Sequence, residues 1–346
     1  MKVVEVAGSG LEMGRQAGEA TREEIAHCLA IRPLKNIDAL RKRLPRLIES
    51  TRRYAPDVLD EMAGIAEGSN QPLEQIYGIN FLLFDDSLNV CDDDASSGGG
   101  CTNIVFAHTP DGPILGKNND GEAIEMRRPS YIKVARPRHG IPHIVATHVG
   151  WAGMVDGMNA EGVAIGHSSV GSVFQQSDDM VGIRPWGYLS QRQAKTTAQT
   201  VAHFAELPLR GKGYAMVCVD RQGVACAIEA PCPLVQIRQP EQPGGVCCVN
   251  AYHLPALQNA DRRPPDAKAD ALARKAMLDD VLKGDKPLTL DRMKSLLSGD
   301  EGSVCLWRRG ECSHHTEWTT IALPATGRFL YTNGHPSDRP FKEISI

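Results

Sequence analysis

The sequence lacks a long apolar run, an excess of basic residues and a recognisable secretion leader. No span approaches the roughly 18 unbroken apolar residues of a membrane helix, and Met1–Gly10 has neither the charged region nor the apolar region of a signal peptide. The net charge of −4 and the short, scattered basic runs give no basic face for nucleic acid. We therefore expect a cytoplasmic protein that binds neither membranes nor nucleic acids.

Several cofactor signatures are also missing. The chain has no glycine-rich phosphate loop, no dinucleotide fingerprint and no internal repeat. Cys305, Cys312, His314 and His315 are residue types that zinc prefers, but they lack the Cys-x2–4-Cys knuckle of structural zinc sites. We expect no metal and no cofactor. Without a secretion signal, the ten cysteines are better interpreted as reduced thiols than as a disulfide framework.

The stretch from Gly98 to Asp120 carries the strongest chemical signal. Three glycines run directly into Cys101, and glycine populates backbone regions that other residues avoid, so the Gly100–Cys101 peptide can be bent and attacked. Attack by the Cys101 thiol on the Gly100 carbonyl would end in hydrolysis and make Cys101 a new N-terminus. A free α-amino group titrates near ~8 and can shuttle the thiol proton. The alternative is that Cys101 is simply the first buried residue of a strand.

The residues after Cys101 predict a β-hairpin. Thr102–His108 and Ile114–Lys117 are apolar and β-prone, and turn chemistry lies between them. The second strand returns beside the first, which brings the segment Lys117–Asp120 close to the thiol. A carboxylate there can orient the new amine, and a lysine favours thiolate over thiol.

The remaining pattern is typical of a mixed α+β chain. We predict a mostly helical front segment, an exposed linker at Ser87–Gly100, and later strands arranged as hairpins. The predicted helices are Leu11–Ala30, Asn36–Tyr54, Asp57–Glu67, Trp186–Glu206, Lys268–Leu282 and a last one from a Thr289 cap to Gly299. The predicted later strands are Tyr131–Arg136, His143–Val149, Gly153–Met158, Gly162–His167, Tyr214–Val219, Val224–Glu229, Val246–Asn250, Thr319–Leu323 and Arg328–Asn333.

These segments resemble a known family. Gly-Cys-Thr at 100–102 looks like a self-cleavage site, and Asp120 stands where the family has an aspartate beside its nucleophile. The strings at 61–80, 150–169, 246–250 and 302–306 are similar to family segments. The chain resembles the N-terminal-nucleophile hydrolases, specifically the acyl-coenzyme A:6-aminopenicillanate (isopenicillin N) acyltransferase or peptidase C45 family, with the choloylglycine hydrolases as relatives.

The resemblance implies a fold and a set of roles. The fold is α+β: a four-layer αββα sandwich of two antiparallel sheets with outer helices. Residues 1–100 would form the pre-nucleophile segment and 101–346 the catalytic part of one intertwined domain. The expected catalytic residues are Cys101, Asp120 and Asn250, whose amide would polarise the reacting carbonyl. The expected substrate-binding residues are Lys117, Asn119, Trp151, Ser168, Ser169 and Arg308. Trp151, Met154 and Met158 could line an acyl site, although plain core packing is the more usual role of such apolar residues.

The sequence departs from the family pattern at three positions. Lys117 replaces an arginine, Ser168 or Ser169 stands where many members have an asparagine, and Leu306 replaces an arginine, with Arg308 close behind.

We therefore expect a self-processing cysteine hydrolase. It would cleave a small linear amide, or transfer an acyl group from an amide or thioester to an amine, through a Cys101 acyl-enzyme. Two interpretations stay open beside this one: an uncleaved amidase or peptidase that pairs the cysteine with His253 or another histidine, and a catalytically inert binding protein of the same fold. The expected partners are the small-molecule substrate and, after cleavage, the two parts of the chain itself. The sequence leaves a homo-oligomer open.

Overall fold

The computed structural model describes residues 1–31, 33, 37–82, 100–121, 128–154, 156–174, 177–302, 304 and 315–346. Its helices are α1 Gly10–Ala20, α2 Arg22–Ile31, α3 Ile37–Tyr54, α4 Pro56–Ser69, α5 Leu73–Leu82, α6 Ile183–Gln191, α7 Thr197–Ala205, α8 Pro265–Lys283 and α9 Leu290–Leu297. Its strands are β1 Lys2–Gly8, β2 Thr102–Phe106, β3 Ile114–Gly121, β4 Ser130–Pro137, β5 His143–His148, β6 Gly157–Asn159, β7 Val163–Ser169, β8 Val181–Gly182, β9 Leu209–Arg210, β10 Tyr214–Asp220, β11 Ala225–Ala230, β12 Gln236–Arg238, β13 Gly245–Val249, β14 His315–Leu323, β15 Arg328–Asn333 and β16 Lys342–Ser345.

Two large sheets organise these elements. The eight-stranded sheet has the order β1-β4-β5-β6-β7-β10-β11-β12, and the six-stranded sheet has the order β13-β2-β3-β14-β15-β16. Pairing is antiparallel in both, except that β1 runs parallel to β4. A short parallel pair, β8 and β9, stands apart. None of the described helices is long and apolar enough to cross a membrane.

Three apolar clusters separate four layers. Because side chains alternate along a strand, Val105 packs between the sheets, whereas its neighbours Ile104 and Phe106 pack against α8 and α9. On the eight-stranded sheet, Val217 faces the other sheet and Met216 faces the helices of the front segment. The order is therefore helix, sheet, sheet, helix, and the predicted αββα sandwich is confirmed.

The helix boundaries follow local chemistry. Ser9 begins α1 with a capping box, in which its hydroxyl accepts from the Glu12 amide and the Glu12 carboxylate accepts from the Ser9 amide. The predicted helix Leu11–Ala30 is two helices that meet at Thr21. The predicted helix Trp186–Glu206 is also two helices, because the Thr196 hydroxyl caps a new start at the Gln199 amide.

The hairpin after Cys101 is longer than its apolar pattern suggested. The second strand, β3, continues to Gly121, so Lys117–Asp120 belongs to the buried strand itself. Alternation then divides the four residues between two faces. Lys117 reaches the eight-stranded sheet through the His167 carbonyl, while Asn118 reaches the carbonyl of Leu297 at the end of α9. Residues 87–99 of the predicted linker lie outside the described residues.

Candidate active site

Cys101 lies immediately before β2, at one end of the inter-sheet space. The residue is buried, with 8% of its surface exposed, and its thiol donates to the backbone oxygen of Asp120 at 3.6 Å. Burial raises the pKa of the thiol, and the positive charge of Lys117 only partly opposes this effect. In the uncleaved chain the group is therefore a thiol at neutral pH, and a reaction through it needs a nearby base.

Lys117 forms a buried charged cluster beside the thiol. Its ammonium donates to the His167 backbone oxygen and lies 3.5 Å from a carboxylate oxygen of Asp156. The other oxygen of Asp156 accepts from the His167 amide and contacts the His167 ring, both at 2.8 Å. Burial acts to lower the pKa of Lys117, but the nearby charge of Asp156 acts in the opposite direction and the pKa is raised. Lys117 is therefore a permanent cation next to Cys101.

Asp120 is a buried carboxyl on the same strand. One carboxyl oxygen accepts from the Thr316 hydroxyl at 2.6 Å, and the other has no hydrogen bond among the described residues. Burial raises the pKa of Asp120 to about 7, although the Thr316 hydrogen bond and the charges of Arg274 and Lys117 act in the opposite direction. A carboxyl with that pKa can both accept and return a proton near neutral pH.

Arg274 reaches the Gly100–Cys101 segment from α8. Its guanidinium donates to the backbone oxygens of Gly100 at 2.9 Å and Cys101 at 2.8 Å. The Thr102 hydroxyl also donates to the Gly100 oxygen, at 3.4 Å.

Arg274 was not among the residues predicted from the sequence. The signal was nevertheless present in the pattern of α8, because Arg274 interrupts a buried stripe that includes Ala271, Leu278 and Leu282. A charged residue in an apolar helical stripe calls for a buried partner. The partners are the two backbone oxygens, together with the Asp270 carboxylate at 3.1 Å, the Asn250 side chain at 3.2 Å and the Thr102 hydroxyl at 3.3 Å.

Asn250 follows directly after β13. Val249 pairs with Thr102, which sets Asn250 opposite Cys101 on the neighbouring strand. Its side-chain oxygen accepts from Arg274, and its amide nitrogen donates to the Ser169 backbone oxygen at 2.7 Å. These two contacts fix the orientation of the amide group and leave one amide hydrogen for another acceptor.

Ser168 forms a hydrogen bond with the backbone of Cys101. Its hydroxyl donates to the Cys101 backbone oxygen at 3.3 Å and accepts from the Asn103 side chain at 2.8 Å. Because its one hydrogen is used in this way, the described geometry gives Ser168 a structural contact and no donor for a substrate oxygen. Ser169 contributes its backbone oxygen, which accepts from Asn250.

Asn119 and Trp151 belong to a second group of polar and aromatic side chains, at the same end of the sheets as Cys101. Asn119 donates to the Glu317 carboxylate at 3.0 Å, and a β-bulge at that point of β14 turns Glu317 to this side. The His148 ring contacts the Trp151 ring at 4.7 Å between centroids, and the Arg184 guanidinium stacks over Trp151. Trp151, Met154 and Met158 are buried in the apolar clusters.

Several other sequence candidates are separate from the thiol or outside the described chain. The pKa of His253 is lowered to about 3, first by burial and then by the charges of Arg238, Lys275 and Arg263. In the described chain the hydrogen bond of the Cys101 thiol goes to the Asp120 backbone, and not to a histidine. Arg308 and the possible zinc ligands Cys305, Cys312 and His314 lie outside the described residues.

The arrangement combines the parts that acyl transfer requires. The thiol lies near a cation, Lys117, and near a carboxyl, Asp120, whose pKa is close to neutrality. An arginine and an oriented amide lie beside the carbonyl groups that flank that thiol. Such donors stabilise the negative charge that develops on a carbonyl oxygen under nucleophilic attack.

Comparison with solved structures agrees with the fold. Penicillin V acylase from Agrobacterium tumefaciens is similar with a TM-score of 0.51 and 13% identity, over 71% of this chain and 86% of that one. A mutant of conjugated bile acid hydrolase from Clostridium perfringens gives a TM-score of 0.51 and 12% identity, over 71% of this chain and 92% of that one. The fold is therefore that of the N-terminal-nucleophile hydrolases.

Sequence comparison supplies the family. A search of curated proteins finds no significant match. The sequence model named "Acyl-coenzyme A:6-aminopenicillanic acid acyl-transferase" matches residues 107–338. This range is about two thirds of the chain, and it begins after Cys101. The chain therefore belongs to the acyl-coenzyme A:6-aminopenicillanic acid acyl-transferase family and is an enzyme of the amidohydrolase and acyltransferase class.

Proposed function

We propose that the chain cuts its own backbone between Gly100 and Cys101 and then acts on a linear amide or thioester through an acyl group carried by Cys101. The observation that supports this most is the environment of the Gly100 carbonyl. Its oxygen accepts from Arg274 at 2.9 Å and from Thr102 at 3.4 Å, directly beside the buried thiol. These donors stand where negative charge would develop if that thiol attacked.

Self-cleavage would proceed in two steps, an acyl shift to sulfur and then hydrolysis. The Cys101 sulfur bonds to the Gly100 carbonyl carbon, the thiol proton passes to the amide nitrogen of Cys101, and the carbon–nitrogen bond breaks. The product is a thioester, and Cys101 now has a free α-amino group. Water then hydrolyses the thioester to a Gly100 carboxylate and a thiol. Asp120, with its pKa of about 7, is the nearby group suited to carry the proton in the first step.

The mature site would repeat this chemistry on a substrate. The α-amino group of Cys101 takes the thiol proton and returns it to the leaving amine or thiol. Asn250 and Arg274 stabilise the carbonyl oxygen, Asp120 holds the α-ammonium form, and Lys117 favours the thiolate. Water as acceptor gives hydrolysis, and an amine as acceptor gives acyl transfer.

Intact-mass spectrometry of purified wild-type protein beside Cys101→Ala tests the first step. We expect two fragments that divide at Gly100–Cys101 in the wild type and a single uncleaved mass in the variant. One uncleaved mass in both samples after long incubation would exclude a free α-amino group as the base. That result would favour the Cys–His or the binding-only interpretation.

Substrate assays test the second step on protein that has cleaved. Penicillin V and a conjugated bile acid are reasonable first amides, because the two similar structures are named for them. An acyl-coenzyme A with 6-aminopenicillanic acid tests transfer to an amine, as the family name suggests. We expect Cys101 to become acylated during turnover, which a mass shift on the fragment that begins with Cys101 would reveal. A cleaved protein whose Cys101 is never acylated by any of these compounds would support the inert interpretation.

A further inference from the structure

A buried ion pair holds the segment that follows Asn250. Glu229 on β11 and Arg238 on β12 both point into the space between the sheets, and both are almost completely buried. The Arg238 guanidinium donates to one Glu229 carboxylate oxygen at 2.9 Å. Neither residue contacts Cys101, and the proposed reaction uses neither of them directly.

The second Glu229 oxygen accepts from two backbone amides just beyond Asn250. The amide of His253 donates at 2.9 Å and the amide of Leu254 donates at 3.0 Å. A carboxylate that receives two neighbouring amides fixes the position of a turn, because both bonds are strengthened by its charge. The turn from Asn250 to Leu254 is thereby tied to the opposite sheet.

Arg238 fixes the other side of Asn250. Its guanidinium donates to the Cys247 backbone oxygen at 2.6 Å, two positions before the end of β13. β13 is an edge strand whose strand partner is β2. The guanidinium therefore supplies a hydrogen bond on the open edge of the strand, where a further strand would otherwise have supplied one.

We propose that Glu229, together with Arg238, is a positioning residue for Asn250. The pair holds the chain on both sides of Asn250, at Cys247 and at His253–Leu254, and so sets where the Asn250 amide lies relative to Cys101. The inference rests on the proposed role of Asn250 in stabilising the reacting carbonyl. A displacement of about 1 Å in such a group can lower a rate by about 100-fold.

Two matched double variants separate positioning from simple loss of a buried charge. Both carry Arg238→Gln, which removes the cation. One adds Glu229→Gln, whose side-chain oxygen can still accept from the two amides, and the other adds Glu229→Met, which has a similar length and no acceptor of comparable strength. Neither variant leaves an unpaired buried charge, so both are expected to fold.

We expect kcat to fall by about 100-fold in the methionine variant, with KM little changed, because Asn250 acts on the transition state. The glutamine variant should keep kcat within about 10-fold of the wild type. In an Asn250→Ala background the two double variants should no longer differ, since the group that they position is absent. Equal kcat in the two variants, or a difference that persists without Asn250, would overturn the inference.

Crystal structures of the two variants give a readout that needs no activity. Residues 250–254 should be displaced in the methionine variant and unchanged in the glutamine variant. An undisplaced Asn250 in the methionine variant would contradict the positioning role. Failure of the proposed function would look different: an active wild type whose kcat is unaffected by Asn250→Ala, or a wild type with no activity at all.

Discussion

Arg274 touches both carbonyl oxygens next to the proposed scissile bond, so its replacement should slow self-cleavage. Removing one donor to a developing oxyanion typically costs about 100- to 1,000-fold in rate. We expect a loss of this size in Arg274→Gln, and a smaller one in Arg274→Lys, because lysine keeps the charge but not the fork of donors. The measurement is the time course of the two fragments by mass spectrometry.

The matched control for this variant is Arg292→Gln on α9. Arg292 is also mostly buried and pairs with the Glu301 carboxylate at 3.1 Å, but it makes no contact with residues 100–102. It should cleave at the wild-type rate. If Arg274→Gln cleaves as fast as Arg292→Gln, the guanidinium does not assist the reaction.

Asp120 gives the uncleaved chain a particular dependence on pH. The pKa of Asp120 is about 7 in the buried site, against an ordinary pKa of 3.8. At pH values between these two, the native carboxyl keeps a proton that the unfolded chain has lost. The native state then binds more protons, so the free energy of unfolding falls as pH rises through this window. One pKa unit of difference between the native and unfolded states corresponds to about 1.4 kcal/mol. Above about pH 7, the free energy of unfolding is therefore lower by about 4 kcal/mol.

Urea unfolding of Cys101→Ala with and without Asp120→Asn measures this effect in protein that cannot cleave. From about pH 5 to about pH 8, the single variant should lose about 3 kcal/mol more than the double variant. Asparagine can still accept from Thr316, so the hydrogen bond is kept. Parallel pH profiles for the two proteins would mean that Asp120 is ionised throughout.

The contact between α1 and α4 depends on glycines at helical spacing. Gly14 lies so close to α4 that an added Cβ would stand 2.1 Å from the Glu61 backbone oxygen. Backbone atoms cannot move aside cheaply, so Gly14→Ala should force the helices apart and cost about 1–3 kcal/mol, despite the better helix propensity of alanine.

Thermal or urea unfolding tests this packing, with Gly284→Ala as the control. Gly284 is exposed, its φ is −71°, and the nearest atom to an added Cβ is 3.1 Å away. This substitution should change stability by less than about 0.5 kcal/mol. Equal stability of the two variants would show that the two helices can separate without loss.

At the level of elements, the sequence predicted what neighbouring residues determine. Short turns rich in glycine, aspartate and proline join β2 to β3 and β10 to β11. The sequence pattern identifies such turns directly. β1 was not predicted, because it pairs with β4 about 130 residues later and no local signal records such a partner. The same limit applies at the site: Arg274 and Asp156 reach Cys101 and Lys117 through tertiary packing alone.

The front segment and the rest of the chain are interlocked across the proposed cleavage point. β1 lies in the same sheet as β4, and α1 to α5 cover that sheet through a shared apolar cluster. Within that cluster, Lys133 donates to the Glu61 carboxylate at 2.6 Å, and both side chains are fully buried. Cleavage would therefore break one covalent bond and leave the fold assembled, so the two fragments should elute together under native conditions.

The buried pair makes this assembly sensitive to a single substitution. Glu61→Ala leaves the Lys133 ammonium buried without its carboxylate, a change that typically costs about 3–5 kcal/mol. In an uncleaved chain this lowers stability, but after cleavage it also weakens the association of two separate chains. We expect size-exclusion chromatography of cleaved Glu61→Ala to show fragment dissociation at urea concentrations where the wild type stays whole.

Arg46→Ala is the control, since its pair with Asp179 also joins the two parts but is exposed, and such pairs contribute little. Equal dissociation of the two variants would mean that apolar packing alone holds the parts together.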